Sequence, residues 1–155
     1  VRSKEEVTMQ SFKQYITELF DKPARWSLQI NEPDILRYEA NINGSTLLIN
    51  FIERGLYDWE MDFKVDGKSN ITGGGNEITV FSTVLDAMKD FDERIDNIRF
   101  ITFDAAKGGD LGDSRVKLYE KLIRKFASLH GYSLADKSDR EVGVTTLTRY
   151  VLEKD

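Results

Sequence analysis

The chain has 155 residues, 40% of them hydrophobic and 32% charged, which is the size and composition of one globular domain. It has no cysteine, which excludes disulfides, thiolate metal sites and cysteine nucleophiles, and its single histidine, His130, excludes a site with two imidazoles. The net charge of −5 excludes nucleic-acid binding by the charge of the whole chain but not by a local basic face. No apolar run is long enough to span a bilayer and no segment has a secretory-signal pattern, so we expect a soluble domain.

The first residues raise the question of where translation starts. Val1–Thr8 precede Met9, and Lys-Glu-Glu-Val-Thr-Met back-translates to AAG-GAG-GAG-GTA-ACA-ATG, which contains a strong bacterial ribosome-binding sequence. One hypothesis is therefore that the protein starts at Met9; the alternative is a polar N-terminal arm. Apolar residues between Met9 and Phe20 have the spacing of a short amphipathic helix, which Pro23 ends. We accordingly divide the chain into an arm and short helix over 1–22 and a single α+β domain over 23–155.

Strand signals dominate the first half of that domain. A short strand over Trp26–Ile30 is followed by three more, which are predicted at Ile35–Asn43, Thr46–Arg54 and Tyr57–Val65. Asn43-Gly44 is the strongest short signal for a hairpin turn, and the last strand alternates cleanly between apolar and charged residues. This part of the chain predicts an antiparallel meander.

Helices alternate with strands in the second half. Apolar stripes predict one helix from about Ile78 to Ile95 and another from Asp113 or Ser114 to the stop at Gly131. Strands are predicted at Asn97–Ala105 and Val142–Leu152. The predicted fold is α+β, an antiparallel meander sheet of about five strands with two long amphipathic helices packed on one face.

The segment 107–114 is the first candidate ligand site, because it is glycine-rich and lies between a strand and a helix. Its residues Gly108, Gly109, Gly112 and Ser114 could present backbone N–H groups to a phosphate. The segment resembles the pyrophosphate loop of acetyl-coenzyme A-dependent acetyltransferases, which implies a phosphate-bearing cofactor. Asp110 and Asp113 would repel an anion there, and the alternative is a plain connection. With Asp104, the same aspartates could instead hold a hard cation.

Two further features have simple structural explanations. Gly73-Gly74-Gly75 precedes a predicted helix, and a triple glycine usually marks a mobile connection; the functional alternative is a lid. His130 falls in the last turn of the second long helix, where the helix dipole would favour its charged form. We expect a capping or partly buried histidine rather than a general base.

The second long helix also carries a basic face, formed by Arg115, Lys117, Lys121, Arg124 and Lys125. A solvated helix face is the usual explanation of such a pattern. The functional alternative is contact with DNA or with an acidic partner.

Residues 9–18, Met-Gln-Ser-Phe-Lys-Gln-Tyr-Ile-Thr-Glu, resemble the capsid-targeting segment of internal head proteins in T-even-like tailed phages. Phe12, Tyr15, Ile16 and Glu18 match that pattern, and the resemblance implies cleavage by the prohead protease after Glu18. The alternative is that this segment is the first helix of the fold. The segments 80–84 and 114–119 are also similar to phage proteins of uncharacterised function.

The leading hypothesis is a non-enzymatic phage accessory protein, without cofactor or metal, that lies in the host cytoplasm or the phage particle. Its partner would be a capsid protein, a host protein, or DNA bound by the basic helix face. A second hypothesis is a small transferase, acetyltransferase-like, that binds a phosphate-bearing cofactor with the segment 107–114. A third is a structural component that assembles through its own surface.

Overall fold

The computed structural model describes residues 22–67, 76–107, 112–143 and 145–155. These residues form seven strands and two helices: β1 (Trp26–Glu32), β2 (Ile35–Ile42), β3 (Ser45–Gly55), β4 (Asp58–Val65), α1 (Glu77–Arg94), β5 (Phe100–Lys107), α2 (Gly112–His130), β6 (Tyr132–Val142) and β7 (Thr145–Lys154). The predicted helix over 9–20 and the glycines at 73–75, 108 and 109 lie outside the described residues. Neither α1 nor α2 is long and apolar enough to cross a membrane.

Alternating side chains produce the first four strands. In β4, Trp59, Met61 and Phe63 are buried, whereas the residues between them are partly or fully exposed. The predicted turn between β2 and β3 forms at Asn43 and Gly44, whose φ angles are 51° and 88°. Two successive positive φ angles are characteristic of the type I′ turn, which matches the twist of the strands it joins.

The predicted architecture is wrong in the number and direction of its strands. The described chain forms a seven-stranded mixed sheet in the order β1-β2-β3-β4-β5-β7-β6, in which β4 and β5 are parallel. They are parallel because α1 carries the chain back to the edge at which β4 began, so α1 is a crossover connection rather than an appendage to a meander. β6 was missed because only Tyr132 of its 11 residues is buried, so its sequence lacks apolar alternation.

Both helices pack on the same side of the sheet and enclose the core. α1 contacts β2 and β3, and α2 contacts β5 and β6. Phe91 of α1 is central to this packing, because its ring stacks on Phe51 at 4.1 Å between centroids and meets Trp59 edge-on at 5.1 Å. We call the opposite side of the sheet the open face, since no described helix covers it.

Polar side chains of α1 fix the helix to strands on both sides. The Tyr38 hydroxyl of β2 donates to Asp90 at 2.7 Å, and the Tyr132 hydroxyl of β6 donates to Asp92 at the same distance. Burial and the neighbouring carboxylate raise the pKa of both tyrosines well above the ordinary value. The indole N–H of Trp26, at the start of β1, donates to Asp86 at 2.8 Å. These three bonds tie β1, β2 and β6 to one helix.

Candidate functional site

The parallel strands β4 and β5 separate before either of them ends. They pair from Asp58 with Phe100 as far as Met61 with Phe103, yet β4 continues to Val65 and β5 to Lys107. Each of the continuing segments stays paired on its other side, β4 with β3 and β5 with β7. We call the space between Asp62–Val65 and Asp104–Lys107 the β4–β5 opening.

Backbone groups of both strands point into the opening. Asp66 N–H donates to the Thr46 carbonyl at 2.8 Å, so even-numbered residues at this end of β4 face β3. Alternation then directs the N–H and C=O groups of Phe63 and Val65 towards β5, where the ladder has already ended. By the same alternation, the Asp104 carbonyl faces β4. The opening is therefore an internal sheet edge with donors and acceptors that the parallel ladder does not use.

Aromatic rings fill the helix side of the opening. Phe63 and Phe103 stack across it at 5.7 Å between centroids, and Tyr119 of α2 lies against both, at 5.7 and 5.2 Å. All three side chains are buried. This side of the opening is thus apolar and filled by contacting rings.

Two carboxylates lie on the open face where the strands separate. Asp62 is exposed and accepts from the Asn50 amide at 3.0 Å. Asp104 accepts two bonds from the Arg149 guanidinium, at 3.0 and 3.1 Å, and this contact raises the pKa of Arg149. Because Met61 and Phe103 are partners, Asp62 and Asp104 follow at the same level of the sheet. Arg140 also lies 3.5 Å from Asp104, so the open-face side of the opening is polar, with a paired carboxylate at Asp104 and an exposed one at Asp62.

Both helices begin at the end of the sheet where the opening lies, because each follows one of the two separating strands. α1 starts at Glu77 and α2 at Gly112. Asn76, the N-cap of α1, makes no side-chain bond to the first turn; its side-chain oxygen accepts from the Asn43 amide at 2.8 Å instead. Helix N-termini carry unpaired N–H groups and a partial positive charge, which favour anions.

The residues predicted for a phosphate loop lie near this end. The structure places Gly112 and Ser114 in the first turn of α2, which begins slightly earlier than predicted, whereas Gly108 and Gly109 lie outside the described residues. Among the described residues there is no group of three or more His, Cys, Asp or Glu that could hold a metal ion. The cation site predicted around Asp104 depends partly on Asp110, which is not described.

The other predicted residues lie elsewhere. Lys117 and Arg124 are exposed on α2, Lys121 and Lys125 are half-buried there, and Arg115 belongs to the first turn. His130 ends α2 with its Nδ1 3.7 Å from Asp92, as expected for a structural histidine. Glu18 lies outside the described residues. The separation of β4 from β5 was missed by sequence reasoning, because the pattern of one strand does not show where its partner leaves it.

Comparison with known proteins identifies no family. No protein-family model matches the chain, and no curated protein matches it. Among solved structures, the chain is similar to an N-acetyltransferase from Staphylococcus aureus Mu50, with 13% identity over 77% of this chain and 67% of that one. The TM-score is 0.43, and similarity at this level carries no argument about function. A functional assignment therefore depends on the geometry of the β4–β5 opening.

Proposed function

We propose that the β4–β5 opening binds a phosphate-bearing cofactor with an extended amide chain, of the acyl-coenzyme A type, and that the protein is a small acyltransferase. The observation that carries the proposal is the end of the β4–β5 ladder at Met61 and Phe103, while both strands continue. Ligands of open sheets characteristically bind beyond the carboxyl ends of parallel strands. The opening is such a position.

The amide chain of the cofactor would add to β4 as an extra strand. Phe63 and Val65 supply N–H and C=O groups at alternate positions, which is the spacing at which an extended chain pairs with a strand edge. The stacked rings of Phe63 and Phe103 exclude water from one side of that chain. Strand addition would therefore allow the opening to select a ligand that carries amide groups, with backbone groups in place of charged side chains.

The phosphates would lie at the N-terminus of α1 rather than at that of α2. Residues 68–75, which lead to α1, contain Lys68 and three glycines and no carboxylate. By contrast, Asp110 and Asp113 flank the start of α2 and would repel phosphate. The side chain of Asn76 also leaves the first turn of α1 uncapped. This assignment replaces the glycine-rich segment 107–114 by the start of α1 as the phosphate site.

The acceptor would approach from the open face, where the exposed carboxylate of Asp62 attracts a cation, since Asp104 is paired with Arg149 and Arg140. A protonated amine would be held there by charge and would have to lose a proton before it attacks. The ammonium would first give one proton to solvent; a carbon–nitrogen bond would then form, the carbon–sulfur bond of the thioester would break, and the second proton of the nitrogen would pass to the thiolate, which leaves as the thiol. An amine is therefore the acceptor that this side of the opening favours.

Thermal unfolding with coenzyme A tests the proposal. A ligand at a hundred times its Kd stabilises the folded state by about 2.7 kcal/mol, which for this chain length raises Tm by about 5–10 °C. Val65→Pro is the informative variant, because it removes an N–H that points into the opening and leaves the β3–β4 ladder intact. We expect Val65→Pro to keep the Tm of the unliganded protein and to lose the shift.

Lys64→Ala is the matched control, since its side chain is exposed and its N–H faces β3. It should retain the shift. The absence of any shift with coenzyme A or acetyl-coenzyme A at millimolar concentration would contradict the proposal, and so would an undiminished shift in Val65→Pro.

The packaging hypothesis stays a separate prediction, because residues 9–18 lie outside the described residues. The described contacts of the N-terminal part begin downstream of Glu18: the Ala24 N–H donates to Thr83 at 2.9 Å, and Trp26 donates to Asp86. Cleavage after Glu18 would leave both bonds intact. Intact mass measured on purified phage particles tests the hypothesis, which expects a chain that begins at Leu19.

A further inference from the structure

The outer edge of β6 is a long strand edge that no described strand covers. β6 is the last strand of the sheet, and ten of its 11 residues are exposed. Lys154 N–H donates to the Arg99 carbonyl, so even-numbered residues of β7 face β5 and odd-numbered ones face β6. Their partners Asp136, Ser138 and Arg140 therefore direct their backbone groups to β7. The residues between them point their N–H and C=O groups outward: Lys137, Asp139 and Glu141.

Within two positions of Ser138, residues at equal distances on its two sides carry opposite charges. Reading outward from Ser138 in the two directions, Lys137 is matched by Asp139 and Asp136 by Arg140. In an antiparallel pair of identical strands centred on Ser138, each of these residues lies opposite a residue of opposite charge. Lys137 and Asp139 would also form the hydrogen-bonded pairs, since both have outward backbone groups.

Neighbouring registers of the same pair are disfavoured by charge. Outward residues can lie opposite outward residues only, so the neighbouring registers are centred on Asp139 and on Lys137; the first places Asp139 opposite Asp139 of the second copy. The second places Lys137 opposite Lys137 of the second copy. Like charges directly opposite each other destabilise a sheet, so the charge pattern selects the register centred on Ser138.

We propose that β6 pairs antiparallel with β6 of a second copy of this chain, about a two-fold axis at Ser138, to make one continuous sheet. Residues directly opposite share a face, so the helices of both copies lie on the same side. The β4–β5 opening lies on the far side of β5 and β7 and stays accessible.

The side chains that the pairing needs are accessible. Within the described residues Asp136 forms no ion pair, and it would gain Arg140 of the second copy. Arg140 lies 3.5 Å from Asp104, with 52% of its side chain exposed, and Lys137 contacts Glu120 with 45% of its side chain exposed. Charged edge strands usually prevent association, but here the charges are complementary in one register.

Sedimentation equilibrium of the full chain, with Asp136→Arg, Arg140→Asp and their equimolar mixture, tests the proposal. We expect the unmodified protein to pass from 17.8 kDa to twice that mass as its concentration rises. Each single variant places like charges opposite each other and should weaken the dimer about tenfold or more. Their mixture restores both opposite-charge pairs and should recover the dimer as a heterodimer.

Glu93→Arg, on an exposed position of α1, is the matched charge-reversal control and should dimerise like the unmodified protein. Recovery in the mixture excludes misfolding as the reason why the single variants dissociate. A protein that stays at 17.8 kDa up to millimolar concentration overturns the proposal, as does a dimer that neither single variant weakens, or a mixture that does not recover it.

Discussion

At the scale of single residues, three buried tyrosines differ in what their hydroxyl groups contact. Tyr38 and Tyr132 donate to aspartates of α1, whereas the hydroxyl of Tyr150 is buried without a hydrogen-bond partner in the described structure. A buried polar group without a partner destabilises the fold, whereas a hydrogen bond to a carboxylate stabilises it. The same substitution should therefore have opposite effects at these positions.

Tyr132→Phe should lower the free energy of unfolding by about 1–3 kcal/mol, because Asp92 loses a charge-assisted hydrogen bond in a mostly buried position. Tyr150→Phe is the matched change and should leave stability unchanged or increase it, since it removes an unpaired hydroxyl. Urea unfolding at neutral pH measures both. Equal losses in the two variants would contradict this account of the hydroxyl groups.

Burial, with the nearby carboxylates of Glu120 and Asp139, raises the pKa of Tyr150 to about 12. The pKa of an unfolded tyrosine is about 10, so ionisation of Tyr150 has no effect on stability below pH 10 and lowers the stability of the fold as the pH rises towards 12. Tyr150 alone should account for about 2–3 kcal/mol of that loss. Stability measured at pH 9, 10.5 and 11.5 should fall less steeply in Tyr150→Phe than in the unmodified protein.

At the scale of elements, local periodicity predicted much of the chain. The alternation of Trp59, Met61 and Phe63 located β4, and the stripe of Phe81, Val84 and Phe91 located α1, because one buried side leaves a repeating pattern. Asn43-Gly44 located the first hairpin, since few other dipeptides accept two positive φ angles. These features depend on neighbours in sequence, which is why sequence reasoning found them.

The remaining elements depend on neighbours in space. β6 carries Asp136, Lys137 and Arg140 where a half-buried strand would have apolar residues, so it gave no strand signal. The parallel pairing of β4 and β5 depends on where α1 packs, and the sequence of α1 does not record that. The candidate site shares this difficulty. The sequence predicted only that Asp62 and Asp104 lie in strands, with Asp62 facing outward. The two residues are neighbours because β4 pairs with β5, and neither strand's sequence predicts that pairing.

Phe91 shows how an element depends on one side chain. Phe91→Ala should lower the free energy of unfolding by about 3–5 kcal/mol, because it leaves a cavity between Phe51 and Trp59 and releases α1 from the sheet. The fluorescence of Trp59 should change as well. Lys89→Ala, at an exposed position of α1, is the control and should change stability by less than about 0.5 kcal/mol.

At the scale of the whole molecule, the sheet consists of β1–β4 on one side of the opening and β5–β7 on the other, joined by a short parallel ladder. The two edges of β4 should differ in amide hydrogen exchange. Glu60 and Asp62 direct their N–H groups to β3, Trp59 and Met61 direct theirs to β5, and Phe63 and Val65 direct theirs into the opening. Protection should decrease in that order.

Exchange measured by NMR, with and without coenzyme A, tests both the order and the proposed site. Phe63 and Val65 should become protected when coenzyme A binds, because strand addition gives their N–H groups partners. Equal protection of all six residues in the unliganded protein would contradict the end of the ladder at Met61.

The short ladder also has a consequence for folding kinetics. β1–β4 are joined by tight turns and contact one another locally, so this half can form early at a low cost in loop closure. Pairing of β4 with β5 requires closure of the long loop that contains α1. The short ladder between Asp58 and Met61 offsets the entropy cost of that closure with few hydrogen bonds. The slow step of folding should therefore be the docking of the two halves, and mutations in this ladder should affect the folding rate more than mutations in the β2–β3 hairpin.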